Sequence, residues 1–123
     1  MPPLLATAQA AGWLRLLHEQ TGREIWIGPE GAILGREGDV QHRSVFQGLM
    51  TISRRHCRIE RTASGEWWVH DLNSAWGTDC RSSSMITPVD LRRNTTTSFL
   101  LRAGYYLRMS DVVFRIELHA GTP

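Results

Sequence analysis

Short alternating runs, each cut off by turn residues within a few positions, constrain this chain more than any other feature. "GWLRLLHE" (Gly12–Glu19) and "REIWIG" (Arg23–Gly28) are joined by "QTG", a hairpin-type connection. "PEG" (Pro29–Gly31) is a turn leading into "AILG" (Ala32–Gly35), and "HCRIER" and "EWWVHDL" flank the hairpin signal "TASG" (Thr62–Gly65). "YYLRM" and "VVFRIEL" close the chain around Ser110–Asp111. No segment carries apolar residues at i, i+3, i+4 and i+7 over three turns, so the pattern predicts an all-β sandwich. Two long polar segments, Glu37–Thr51 and Arg81–Ser98, are expected to be loops. On a rigid sandwich such loops usually carry the binding residues.

The densest chemistry lies in "TISRRHCRIE", Thr51 to Glu60, just where one loop enters a strand. A catalytic Ser/His pair, a metal site, a nucleic-acid patch and an anion-docking loop all compete for it. Ser53, His56 and Asp71 lack the Gly-x-Ser-x-Gly elbow and an evident oxyanion loop, which argues against a hydrolase. Adjacent strand residues point to opposite faces, so His56 and Cys57 should not converge on one zinc with His70 and Cys80. The same alternation splits Arg54, Arg55, Arg58 and Arg61 between faces, which weakens a nucleic-acid reading. Trp13, Trp26, Trp67 and Trp68 fall within strand patterns, where core packing is their expected use.

Composition narrows the class further. A chain of 123 residues is the size of one domain, and its net charge is only +2. All 14 of its basic residues are arginine. That bias suits bidentate capture of phosphate or carboxylate, although the codon composition of a source genome produces it too. No apolar run approaches the roughly 18–20 residues of a membrane span. "MPPLLATAQAAG" has no basic n-region, so residues 1–12 read as a flexible tail or linker and not a signal peptide. A cytoplasmic location is the expectation. Two cysteines are too few for a disulfide framework.

Four blocks then line up in order: "ILGRE" (Ile33–Glu37), "ISRRHCRIE" (Ile52–Glu60), "WVHDLNSAWGT" (Trp68–Thr78) and "LLRAGYYLRMSDVVFRIEL" (Leu100–Leu118). Together they resemble the forkhead-associated (FHA) domain. The resemblance implies an eleven-stranded β-sandwich of the FHA/SMAD-like type, with phosphothreonine-binding loops at one end. It covers residues 13–118, with 119–123 as a C-terminal tail.

Family roles carry over by position. Arg36, after Gly35, matches the arginine that contacts phosphate. Ser53 matches the serine whose hydroxyl and amide bind phosphate oxygens, and Arg54 sits where a second basic side chain often reaches the same group. His56 matches a histidine that buttresses the loop from within. Gly77 and Thr78 match the Gly-Thr that opens the next strand. Cys57 and Cys80 stand where the family places small or β-branched core residues.

Independently, phosphothreonine brings about −1.5 to −2 charges and three acceptor oxygens, which call for converging donors from separate loops. Arginine supplies a fork and serine a short donor. The competing roles are a surface ion pair of Arg36 with Glu37 or Glu60, and a turn-capping hydroxyl for Ser53.

The peptide-holding loop departs from the family. Ser74-Ala75-Trp76 replaces the usual Ser-Thr-Asn before Gly-Thr, so Ala75 offers no hydroxyl and Trp76 no paired amide. Trp76 is expected either to stack on a peptide side chain or to cover the loop base. Tyr105 and Ser110 replace the acidic residue and the glycine usual in the last block, and Ser110 is expected in a strained turn. The resulting expectation is a non-enzymatic phosphothreonine-peptide module. Its peptide contacts would come from Arg36, Ser53, Arg54, Ser74, Ala75 and Trp76. It would need no cofactor or metal and bind neither nucleic acid nor membrane. Its partner would be a phosphothreonine protein or Ser/Thr kinase substrate, met from within a larger multidomain protein of bacterial origin. An FHA-like domain that binds protein without reading phosphate is the alternative.

Overall fold

The computed structural model describes residues 12–82 and 98–120. The expected tails, apart from Gly12, His119 and Ala120, and the inside of the Arg81–Ser98 loop lie outside the described residues. Nine strands occur among the described residues: β1 (Trp13–His18), β2 (Arg23–Ile27), β3 (Ala32–Leu34), β4 (Cys57–Arg61), β5 (Trp67–Asp71), β6 (Thr78–Arg81), β7 (Ser98–Leu100), β8 (Tyr106–Met109) and β9 (Val112–His119). They form a five-stranded sheet, β2-β1-β9-β8-β6, and a four-stranded sheet, β3-β4-β5-β7. Every strand pairing is antiparallel. The expected β-sandwich is present; the count of eleven strands is not reached among these residues.

Alternation builds the core as the sequence patterning requires. Leu14 and Leu16 of β1, Cys57 and Ile59 of β4, Trp67 and Val69 of β5, and Phe114 and Ile116 of β9 all turn inward and are buried. Only Trp67 of the four strand tryptophans is fully buried. Trp26 instead lies on the outer face, 4.7 Å from the His119 ring and 5.8 Å from the Arg15 guanidinium. Strand parity explains this: Ile25 and Ile27 take the inward positions and leave Trp26 facing out.

The segment Glu37–Thr51 is more ordered than a polar loop. It holds a 3-10 turn (Val40–His42) and one short helical turn, α1 (Arg43–Phe46). Val45 and Phe46 are buried, and Phe46 packs edge-on to Phe114 at 6.0 Å. Burying a phenylalanine contributes about 1.5–3 kcal/mol, so this loop is anchored in the core. Four residues are too few for helical periodicity to show.

Register places three connections at one end. Leu34, the last residue of β3, pairs with Cys57, the first of β4, and Cys57 pairs with Asp71, the last of β5. Thr78, the first of β6, pairs with Met109, the last of β8. The segments after β3, before β4, between β5 and β6, and between β8 and β9 therefore share an edge.

Candidate functional site

Backbone bonds bring the first two motifs together. The amide of Arg36 donates to Ser53 O (3.2 Å) and that of Glu37 to Arg54 O (2.7 Å). Gly35 permits this close approach. Its φ is 153°, and a Cβ there would collide with the Arg54 carbonyl. Arg36 is half-buried, and its Nε donates to Ile52 O at 2.6 Å. That bond aims the guanidinium while leaving both terminal amino groups without a partner among the described residues. The competing ion pairs do not form. Glu37 lies 3.3 Å from Arg54, and Glu60 meets Arg58 and His70.

His56 is fully buried and uses both ring nitrogens. A backbone N–H can only donate, so Nδ1 accepts from the Ser53 amide (3.0 Å). Nε2 then carries the proton and donates to Gly77 O (2.9 Å). The His56 amide donates to Leu34 O and its carbonyl accepts from Leu72 N, at 2.8 and 3.0 Å. Through its ring and its backbone, His56 thus ties together the end of β3, the segment before β4 and the β5–β6 segment. Burial holds its pKa below the ordinary value, against the opposing pull of the Gly77 carbonyl. The neutral tautomer is the one this network needs. With Nδ1 occupied by the amide, His56 does not take a proton from the Ser53 hydroxyl, which removes the triad geometry. Cys57 is buried, and burial pushes its thiol pKa well above the ordinary value. Cys80 is half-buried and packs against the core.

The same bond alters one expected contact. The Ser53 amide is committed to His56, so only the Ser53 hydroxyl remains for a ligand from that residue. Its Oγ accepts from the Ala75 amide at 3.0 Å. The hydroxyl hydrogen has no acceptor among the described residues. Arg54 is exposed beside it, with 72% of its side chain accessible.

Ser74 does not join these groups on the surface. It is buried, donates from Oγ to Asp71 Oδ1 (2.5 Å), and accepts there from the Gly77 amide (2.9 Å). Its amide donates to Asp71 Oδ2 (3.0 Å), and the Thr78 hydroxyl donates to Asp71 Oδ1 (2.7 Å). Asp71 is therefore the organiser of the Ser74–Thr78 loop, a role the sequence reading missed. Its signal was present: Trp67, Val69 and Asp71 share one parity in β5, so Asp71 faces inward and a buried carboxylate requires partners. Hydroxyls at Ser74 and Thr78 answer that requirement.

Gly77 adopts a φ of 85°, which turns its carbonyl toward both His56 Nε2 and the Ser110 amide (3.0 Å). Ser110 itself has a φ of 58°. This left-handed conformation costs a non-glycine residue roughly 1–2 kcal/mol. Ala75 and Trp76 are both exposed, Trp76 by 37%. Thr51 Oγ1 donates to Asp111 Oδ1 at 2.7 Å, which links the loop before Ser53 to the β8–β9 turn.

The result is a surface of arginine and serine donors on a buried brace of His56, Asp71 and Ser74. A tetrahedral anion matches such donors. The FHA domain family model matches residues 32–99, more than half of the chain. No curated protein matches it significantly. A solved structure from work on phosphothreonine-dependent FHA domain interactions superposes with a TM-score of 0.63 at 22% identity, over 87% of this chain and 97% of its own. EmbR of Mycobacterium tuberculosis, solved with a low-affinity phosphopeptide, gives 0.68 at 20% identity, over 98% of this chain and 29% of EmbR. An FHA domain of Arabidopsis thaliana gives 0.66 at 24% identity, over 94% and 92%. These superpositions share the fold, and with the family model spanning more than half of its length this chain belongs to the FHA domain family.

Proposed function

We propose that this chain is a phosphothreonine-peptide recognition module that mediates phosphorylation-dependent protein–protein contacts. The observation that carries the reading is that Arg36 is bonded into the segment that carries Ser53, its amide to Ser53 O and its Nε to Ile52 O. Arg36 Nε is pinned to Ile52 O, and its two terminal amino groups, without a partner among the described residues, are left for a ligand at this half-buried position. Arg54 adds exposed positive charge. Each charge-assisted bond to a phosphate contributes about 1.5–3 kcal/mol. Similar structures concern phosphothreonine-dependent interactions and a phosphopeptide complex, which supports the same ligand class.

In this reading Arg36, Ser53 and Arg54 hold the phosphate, while Ala75 and Trp76 border the peptide. Gly35, His56, Gly77 and Thr78 are supports, and Ser74 acts with them through Asp71. Residues 13–118 form the recognition domain. The partner is a phosphothreonine protein or Ser/Thr kinase substrate, and the domain works in the cytoplasm as part of a larger protein.

Calorimetric titration with a degenerate phosphothreonine-peptide library tests this directly. Phosphothreonine peptides should bind, and unphosphorylated ones should not. Phosphoserine should be weaker by about fourfold, because burying the lost methyl is worth ~0.8 kcal/mol. If no phosphothreonine peptide binds, the reading fails. The phosphate-blind alternative, favoured by Ala75 and Trp76 in the peptide loop, then replaces it.

A further inference from the structure

The turn between β8 and β9 supplies none of the donors assigned to the phosphate, yet it is bonded to both loops that meet at Ser53. On one side the Ser110 amide donates to Gly77 O at 3.0 Å, the carbonyl that also accepts from His56 Nε2. The Ser110 carbonyl accepts from Nη1 of Arg108, a buried side chain whose Nε lies 3.1 Å from Asp79 Oδ2. Buried neighbours therefore fix the turn. They also hold Ser110 at a φ of 58°, a conformation that persists in a non-glycine residue only where its surroundings over-determine it.

We propose that Asp111 is a positioning residue for phosphate recognition: it holds the Thr51–Ser53 segment, with the carbonyl that orients Arg36, in register with the Ser74–Gly77 loop. This role rests on the phosphothreonine reading and concerns the same site. On the turn's other side, Asp111 Oδ1 accepts from Thr51 Oγ1 at 2.7 Å. Ile52 follows Thr51 directly, and its carbonyl accepts from Arg36 Nε at 2.6 Å. Ser53 comes next, with its Oγ accepting from the Ala75 amide of the facing loop at 3.0 Å. Gly77 and Thr51 thus share one post, and Asp111 supplies the Thr51 side of it.

Charge alone would give Asp111 the opposite effect. Two residues of chain, about 7 Å when extended, separate Thr51 from Ser53, within the Debye length of about 10 Å at 0.1 M salt. An exposed carboxylate bonded to Thr51 therefore repels a phosphate bound at Ser53. Removing that charge favours binding, whereas removing the bond to Thr51 disfavours it. The two effects differ in sign, so substitutions separate them.

The test is fluorescence anisotropy on the full chain with a phosphothreonine peptide selected from the degenerate library. Thr51→Val removes the donor and no charge, and should weaken binding about fivefold. Thr51→Ser keeps the hydroxyl and should bind like the parent. Asp111→Ala should weaken binding by about threefold, relief of repulsion offsetting part of the loss. Asp111→Asn keeps an acceptor for Thr51 and sheds the charge, so it should bind at least as tightly as the parent. The double variant Thr51→Val with Asp111→Ala should match Asp111→Ala, because both changes break one bond. Unchanged or tighter binding by Thr51→Val or by Asp111→Ala overturns this inference alone. So does weakening by Asp111→Asn or Thr51→Ser equal to that of the bond-breaking variants, or a double variant weaker than Asp111→Ala. Absence of binding to the parent by every phosphothreonine peptide overturns the phosphothreonine reading and this inference with it.

Discussion

Behind the loops, His56, Asp71 and Ser74 are buried and have their hydrogen-bonding groups occupied by one another and by backbone. In front of them, the side chains of Arg36 and Ser53 are only partly engaged: Arg36 Nε donates to Ile52 O and Ser53 Oγ accepts from the Ala75 amide, while the other side-chain donors have no partner among the described residues. Under the proposed function, the contrast separates stability from recognition between neighbouring residues. A saturated polar network in a low-dielectric interior holds its geometry because losing any partner is expensive. A half-satisfied rim is affordable because water serves until a ligand arrives. The brace should therefore report on unfolding and the rim on binding, and substitutions in the two layers should not be interchangeable.

The largest effect is expected from the brace. Asp71→Ala leaves the Ser74 amide, the Ser74 hydroxyl and the Thr78 hydroxyl short of an acceptor in a buried place. At about 1–3 kcal/mol for each unsatisfied group, the loss should approach 4 kcal/mol and lower the melting temperature by roughly 10–20 °C. Scanning calorimetry reads this directly. A shift of only a degree or two would mean that the loop is held by something other than Asp71.

Arg36→Ala should do the reverse. Removing a fork that makes two charge-assisted bonds should weaken phosphopeptide binding by about 100-fold or more. Only the Nε bond to Ile52 O is lost internally. The melting temperature should therefore fall by no more than about 3–6 °C. Isothermal titration and thermal unfolding of the same sample place Arg36 on the rim or in the brace.

The comparison can be sharpened with pH. Unfolded His56 titrates near 6.5, whereas burial lowers its folded pKa. Below 6.5 the unfolded chain takes up a proton that the folded chain resists. The contribution of neutral His56 is thus complete above that value and is lost as pH falls through the window below it. Urea midpoints should decrease from pH 7.5 to pH 5.5. Burial also lowers the folded pKa of His18 and of His42. His56→Asn should accordingly reduce the slope without abolishing it. An unchanged slope would remove His56 from the brace.

Trp76→Asn addresses the boundary between the layers and should have the smallest effect. The indole is 37% exposed, so its loss should leave unfolding within about 1 kcal/mol of the parent. Phosphopeptide binding should weaken several-fold if the ring packs on the peptide, through loss of an aromatic contact worth about 0.5–1 kcal/mol. Tighter binding would instead mark Trp76 as an obstruction in the peptide path.

Much of this was legible in the chain. Inward positions followed from two-residue alternation in "WLRLLH", "CRIER" and "VVFRIELH", because strand parity is a local property. The motif blocks brought out Arg36, Ser53 and His56 for the same reason: each is recognised from its immediate neighbours. Parity also contained the inward direction of Asp71, although its partners lie in the next loop. Phe46 was less accessible, since four helical residues between polar flanks carry no periodic signal.

The sequence by itself determined an all-β chain with an arginine and a serine poised on adjacent loops. Only the tertiary structure decided how their valences are divided. It commits the Ser53 amide to His56, turns Ser74 inward to Asp71, and brings Asp111 to Thr51 across sixty positions of chain. Side-chain type says what a residue can donate or accept, but a hydrogen bond has two ends. Which ends meet is fixed by the antiparallel register that gathers three separate connections at one edge of the sandwich.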